Sequence, residues 1–274
     1  MMMQGLMHGK RGLIMGVANG HSIAWGIAKA LHAQGAHLAF TYQGEALGKR
    51  VKPLAESVGS DMLLPCDVED IASVDAVFAA LEAKWGTIDF LVHAVGFSDK
   101  NELKGRYVDN TTRENFTRTM VISCFSFTEL AQRAAKLMPQ GGSLLTLTYG
   151  GATRVMPNYN VMGIAKAGLE ASVRYLAGDL GPQNIRVNAI SAGPVRTLAG
   201  AGINDARFMY NFQRAHAPMR RSITIEDVGG SALYLLSDLS NGVTGEIHFV
   251  DNGYNIISMP HPDTLREGSA ESED

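Results

Sequence analysis

Tyr159 and Lys166 stand seven positions apart in the run YNVMGIAK. On a helix, seven residues fall roughly 20° short of two turns, so the phenol and the ammonium share a face, about 10 Å apart along the axis, and can act on one bound group. An isolated pair of this kind is ordinarily an aromatic at a helix start and a solvated charge, so the surrounding chain must supply the reason to read it as chemistry. Upstream, GVANGHSIAWGIA carries Gly16, Gly20, Ser22 and Gly26. Such a turn lets the backbone approach a pyrophosphate, with the amides of Ser22 and Ile23 at a new helix N-terminus facing the anion. Ser22 replaces the usual third glycine, which leaves a looser G-x5-S-I-x-x-G pattern that by itself is also compatible with a plain tight turn.

Further along, Gln43 stands where a dinucleotide fold that prefers NAD offers an acid to the adenosine ribose. An amide can bond a hydroxyl but brings no charge against a 2'-phosphate, and Lys49 and Arg50 follow, so the residues leave NADH and NADPH both open. CDV (66–68) and HAVGF (93–97) end two apolar runs on the edge where α/β folds bind ligands, and Asp67 is placed to accept from an adenine amino group. His93 reads as a core histidine of its strand. Cys66 and Cys124 stand in separate segments without a C-x-x-C, which points to a reducing cytoplasm and to neither thiol as nucleophile. No His/Cys/Asp cluster has ligand spacing, so no metal is expected.

The elements that must position these residues alternate regularly. GLIMGVA (12–18), AHLAFTY (36–42), DMLLPCDV (61–68), DFLVHAV (89–95), SLLTLTY (143–149), IRVNAIS (185–191) and EIHFVDN (246–252) read as strands, with helical stretches between them. The early runs are continuously apolar, as in strands covered on both faces. The pattern predicts an α/β, single-domain Rossmann fold over 1–258, with a doubly wound, seven-stranded parallel sheet. The first helix opens at Ser22 and closes near Gly35, and a helix over about 111–138 ends before Pro139 and Gly141. The polar, acidic tail 259–274 is expected to be disordered.

Composition excludes other classes of partner. A chain of 274 residues with 46% hydrophobic content builds a substantial core, and a net charge of -3 offers no field for nucleic acid. No apolar run reaches the ~18 residues of a membrane span, and MMMQGLMHGKRGLIMG lacks the apolar stretch of an export signal, so no membrane partner and no export are expected.

Together, the glycine turn, CDV, HAVGF, LTLTYGG, PNYNVMGIAKAGLEASVRYLA, RVNAISAGPVRTLA and TIEDVG resemble the short-chain dehydrogenase/reductases, and within them the NADH-dependent enoyl-acyl-carrier-protein reductases of bacterial fatty-acid synthesis. The resemblance covers nearly the whole chain. Most short-chain reductases carry Y-x-x-x-K, whereas here Met162 stands four before Lys166 and the tyrosine has moved back to 159. A physical reason fits the displacement: hydride reaches the carbonyl carbon of a ketone but Cβ of an enoyl thioester, two bonds farther from the oxygen, so the acid must sit farther out.

The resemblance implies that NADH delivers hydride to Cβ, that Tyr159 hydrogen-bonds the thioester oxygen as enolate charge develops, and that Lys166 grips the nicotinamide ribose. Tyr149 matches a second family tyrosine, catalytic or an aromatic wall. Cofactor contacts are implied for Gly16, Ser22, Ile23, Gln43, Asp67, Val68, Val95, Gly96, Lys166, Val195, Thr197 and Ala199, with Pro194 directing the loop before Thr197. Ser98, Met162 and Ile203 would line the acyl side, and AGAGINDARFMYNFQ belongs to a helical substrate-binding loop at about 197–216, with Ala206 where a large aromatic is expected. Arg207 and Arg214, seven apart, would meet an acidic acyl carrier protein, with Arg220 and Arg221 shortly after, and a homotetramer is implied. A 3-ketoacyl or other short-chain carbonyl reductase and a noncatalytic dinucleotide-binding sensor remain alternatives; Met162 argues against the first, and the second has no need of Tyr159 and Lys166 on one face.

Overall fold

Strand β1 (Arg11–Met15) sends Leu13 and Met15 into one apolar core and Ile14 into another, the period-two geometry of a strand covered on both faces. The computed structural model describes residues 4–197 and 206–261. After β1 come α1 (Ile23–Ala33), β2 (His37–Tyr42), α2 (Gly44–Ser57), β3 (Leu63–Pro65), α3 (Ile71–Trp85) and β4 (Phe90–His93). Then follow α4 (Tyr107–Asn110), α5 (Arg113–Met120), a π-helical turn (Val121–Phe125), α6 (Ser126–Lys136), β5 (Gly142–Thr148), α7 (Asn160–Leu180), β6 (Ile185–Ala192), α8 (Ala206–His216), α9 (Ile225–Leu236) and β7 (Ile247–Val250).

All strand pairs are parallel, in the order β3-β2-β1-β4-β5-β6-β7. The winding therefore reverses between β1 and β4, and a crevice opens there at the carboxyl ends of the strands. One core lies under α3, α6 and α7, with Phe78, Phe127 and Leu169 among its members. The other lies under α1, α2 and α9, with Phe40, Phe90, Leu31 and Leu235.

Each expected strand forms, several of them trimmed at the ends. Strand β3 keeps only Leu63–Pro65, at the edge of the sheet, where a proline is tolerated because its position faces away from β2 and the Cys66 amide donates to the Tyr42 carbonyl at 2.9 Å. One expectation about helices is corrected. The single helix over 111–138 is interrupted by the π-helical turn, which inserts a residue into the i to i+4 register without a glycine or proline to announce it. Ser22 does stand at the N-cap of α1 but makes no capping bond; its Oγ instead accepts from the amides of Ala18 (3.0 Å) and Asn19 (3.1 Å) and so holds the glycine turn. Of the expected tail, residues 262–274 lie outside the described residues, and no helix among those described is long and apolar enough to cross a membrane.

Candidate active site

The crevice has two lobes that share Gly16, Ala18, Ala94, Val95, Gly96 and Phe97. One, of about 390 Å³, is bounded by Ser22, Ile23 and Ala24 at the start of α1, by Ser98 and Leu103, by Thr148 and Tyr149 at the end of β5, and by Tyr159, Met162, Lys166 and Thr197. The other, of about 270 Å³, is bounded by Thr41, Gln43, Asp67, Val68, Glu69, Arg118 and Ile122.

The shared wall is built by backbone. Gly16 has φ +94°, and a Cβ there would run into the Ala94 carbonyl, so β1 and β4 leave the sheet side by side only because this residue is glycine. Gly26 serves a different end: a Cβ would strike the Ile225 carbonyl, so its absence lets α9 pack closely on α1 and fixes the angle at which α1 addresses the crevice.

The first turn of α1 leaves amides without intrahelical partners, and its dipole adds positive potential. The Ser22 amide, expected to face an anion, is committed to the Asn19 carbonyl at 3.1 Å, so that part falls to Ile23 and Ala24. The Ser22 hydroxyl accepts two amides, which leaves its own proton to be given to an acceptor in the lobe. A pyrophosphate fits this set of donors.

Tyr159 caps α7 from outside the helix, with φ −114° and ψ −27°, between Asn158 (φ 56°) and Asn160 (φ 35°). Two left-handed departures that flank one residue are tolerable because both are asparagines, the non-glycine type that visits this region most readily. Asn160 Nδ2 donates to the Glu102 (3.1 Å) and Gly105 (3.3 Å) carbonyls and anchors the bend. The Tyr159 ring is 7% exposed and meets Tyr149 edge-on, centroids 5.1 Å apart. Burial pushes the Tyr159 phenol well above its ordinary value and the Tyr149 phenol up to about 12, so both stay neutral donors near pH 7.

Lys166 is 8% exposed, and its Nζ donates to the Leu147 carbonyl at 2.8 Å. Burial pushes its pKa down to about 8, opposed by Cys124 and Glu170. Met162 occupies the wall between Tyr159 and Lys166, where the sequence pattern set it.

At the other lobe, Gln43 Nε2 donates to Asp67 Oδ2 at 2.9 Å. Gln43 after β2 and Asp67 after β3 thus meet at this lobe, while Lys49 and Arg50 are exposed on α2 and line neither lobe. Val68 lines the same lobe. Val195 borders a neighbouring cavity with Arg196, and its carbonyl accepts from the Tyr210 hydroxyl at 3.2 Å. Ser98 lines the larger lobe, but its hydroxyl is engaged by Asn115 Nδ2 (3.1 Å) and Thr119 Oγ1 (2.9 Å). Ala199 and Ile203 lie outside the described residues.

His93 is a core histidine, fully buried between Thr146 Oγ1 (2.8 Å) and Ser126 Oγ (2.9 Å), and burial pushes its pKa down to about 3. Cys66 and Cys124 are buried free thiols, both raised by burial. Arg207 and Arg214 are exposed on α8, whereas Arg221 pairs with Asp227 at 2.6 Å in the capping box of α9.

Sequence reasoning missed the π-helical turn's contribution. Ser123 Oγ accepts from the Phe97 amide (2.9 Å) and donates to its carbonyl (3.0 Å), so the turn fixes the loop that forms the lobes' shared wall. It also missed Arg118, whose guanidinium lies 4.6 Å from the Phe97 ring centroid and forks onto Glu69 at the rim of the smaller lobe.

Residues 16–255 match the family model described as enoyl-(acyl carrier protein) reductase. The chain is 75% identical over 269 residues to the NADH enoyl-acyl-carrier-protein reductase 2 of Rhizobium meliloti, covering 98% of this chain and 100% of that one. The crystal structure of FabI from Candidatus Liberibacter asiaticus superposes with a TM-score of 0.92 at 61% identity, covering 94% of this chain and 100% of that one. The Anaplasma phagocytophilum enoyl-acyl-carrier-protein reductase, solved in complex with NAD, superposes with a TM-score of 0.91 at 59% identity, covering 95% and 99%.

Proposed function

This chain belongs to the enoyl-(acyl carrier protein) reductase family, and from that premise we propose that it is the NADH-dependent enzyme that reduces the trans-2 double bond of enoyl thioesters during fatty-acid elongation. The observation that carries the reading is the convergence of the neutral Tyr159 phenol and the buried Lys166 ammonium on one lobe, with Met162 where a carbonyl reductase would have its tyrosine.

The nicotinamide supplies the hydride when bound. Tyr159 donates a hydrogen bond to the thioester oxygen as enolate charge develops, and its neutrality at working pH keeps that proton in place. Lys166, fixed by the Leu147 carbonyl, donates its remaining protons to the ribose hydroxyls. The Ser22 hydroxyl and the Ile23 and Ala24 amides hold the pyrophosphate, and Gln43 with Asp67 receives the adenosine end. Tyr149 packs edge-on to Tyr159 and holds the phenol's direction.

The carbon chain is delivered by acyl carrier protein, an acidic partner suited to Arg207 and Arg214 on α8. A cytoplasmic homotetramer is part of the same reading, and light scattering at assay concentration tests the assembly. The decisive experiment follows NADH oxidation with a short enoyl thioester beside its 3-ketoacyl counterpart. Turnover of the enoyl compound alone supports the assignment; turnover of the ketone alone, or binding of NADH without turnover of either, refutes it.

A further inference from the structure

Glu170 lies eleven residues after Tyr159 and four after Lys166. Eleven residues overshoot three helical turns by roughly 20°, so Glu170 is the third member of the face that carries Tyr159 and Lys166. It is a carboxylate only 8% exposed, and Thr148 Oγ1, itself on a residue 4% exposed, donates to its Oε1 at 2.8 Å. Burial at this depth is costly for an ionised group unless it is held and opposed by positive charge.

The bond falls in a series. At the end of β5, the Leu147 carbonyl accepts from Lys166, Thr148 donates to Glu170, and the Tyr149 ring meets Tyr159. Three consecutive residues at and just past the strand's end thus each hold one member of the same helix face. The groups facing Lys166 are Glu170 from α7, Cys124 from the π-helical turn and His93 from β4. Those facing Glu170 are Thr148 from β5, Lys166 and Arg174 from α7, and Tyr159.

We propose that Glu170, clamped by Thr148, is a positioning residue of the reductase, which locks α7 against the end of β5 and keeps the Lys166 ammonium charged and aligned for the cofactor ribose. The inference rests on the reading of Lys166 given above. Physically, burial draws Lys166 toward neutrality, and Cys124 together with the Glu170 carboxylate draws it back. Removing the negative charge lets burial win at a lower pH. For a lysine, the charged form prevails below its pKa; NADH affinity that depends on the ammonium is therefore full at low pH and lost as pH rises through about 8.

The test is an equilibrium fluorescence titration of the intact enzyme with NADH from about pH 6 to about pH 9.5, a window that brackets the Lys166 transition. Glu170→Gln keeps an acceptor oxygen for Thr148 and removes only the charge. The expected result is that the alkaline loss of affinity moves down by about one pH unit. Thr148→Val should move it in the same direction, and Thr148→Ser should restore it. In the enzyme without cofactor, 13C NMR of reductively methylated lysines should show Lys166 titrating lower in the Glu170→Gln variant.

A uniform loss at every pH, or a curve that overlies the wild type, overturns the proposal, since a merely structural carboxylate would not move the midpoint. If Glu170→Gln does not fold, the Thr148→Val and Thr148→Ser pair decides by the same criterion. Lys166→Ala separates the layers: undiminished NADH affinity in that variant refutes the reading of Lys166, whereas weakened affinity with an unshifted Glu170→Gln curve refutes only the role of Glu170.

Discussion

Replacing Tyr159 by phenylalanine isolates one hydroxyl. The ring is 7% exposed and held edge-on to Tyr149 at 5.1 Å and 73°, contacts that phenylalanine keeps, so neither a cavity nor a new clash arises. Burial keeps the phenol neutral across the assay range, so the variant loses a full hydrogen-bond donor rather than a partial charge. A single preorganised donor to a developing oxyanion contributes about 2.7 to 4 kcal/mol, which corresponds to ~10² to 10³ in turnover. The donor acts on charge that exists only as the transition state forms, so kcat should fall by that factor while NADH affinity stays within about twofold. Absorbance at saturating NADH and a short enoyl thioester gives kcat, fluorescence titration gives NADH affinity, and thermal unfolding controls for folding. Tyr149→Phe should cost much less, because that phenol is assigned to packing. Undiminished kcat in Tyr159→Phe, or a larger loss in Tyr149→Phe, would refute the assignment of the proton donor.

Asp67→Asn removes the carboxylate beside Gln43 and should raise the kcat/KM ratio of NADPH to NADH by about tenfold; an unchanged ratio would mean that Asp67 does not face the 2'-position. Arg207→Glu with Arg214→Glu should raise KM for the carrier-bound substrate in a salt-sensitive way and spare a short thioester of a small thiol, whereas equal loss on both substrates would point to damage of α8 rather than docking. His93 gives a prediction in pH. Its pKa is depressed to about 3 in the folded chain, so an unfolded chain takes up the proton first as pH falls below 6.5, and stability present above that value is lost toward about 3. At pH 5 the loss should be about 2 kcal/mol relative to neutral pH, and His93→Gln should lack this component; urea midpoints at the two pH values check it, and identical pH dependence in both proteins would contradict a neutral buried imidazole.

The sheet was legible because its signal is local. Continuous apolar runs such as DFLVHAV require cover on both faces, and the same alternation that divides Leu13 from Ile14 also fixes which helices supply that cover. What escaped is tertiary. Asp67 was expected at the adenine end, but its bond to Gln43 was not: parallel strands bring the end of β3 alongside that of β2, and the two residues meet from 24 positions apart. The π-helical turn escaped because VISCF has no breaker; its cause lies in Ser123 reaching the Phe97 backbone, a contact between segments. Glu170 stood within the motif that carried the family resemblance, yet a glutamate four residues from a lysine on a helix ordinarily reads as a solvated pair. Only its burial and the Thr148 hydroxyl distinguish it.

The seven-residue spacing is the point at which sequence and structure explain each other. Reading Tyr159 and Lys166 as two stations on one helix gave the right face, but the tyrosine stands outside the helix, as its cap. A tyrosine at the position of Met162 would be tied to the helix's own projection, whereas a cap residue is aimed by the chain that enters it. Here the residues on either side of it, Asn158 and Asn160, take left-handed conformations, at a cost on the order of 1 to 3 kcal/mol each, and the two Asn160 bonds to Glu102 and Gly105 offset part of it. The asparagines of PNYN are therefore as much a part of the displaced phenol as the tyrosine itself. Moving the acid outward for a conjugated double bond needed a backbone that would hold it there, and Met162 was left to close the wall behind it.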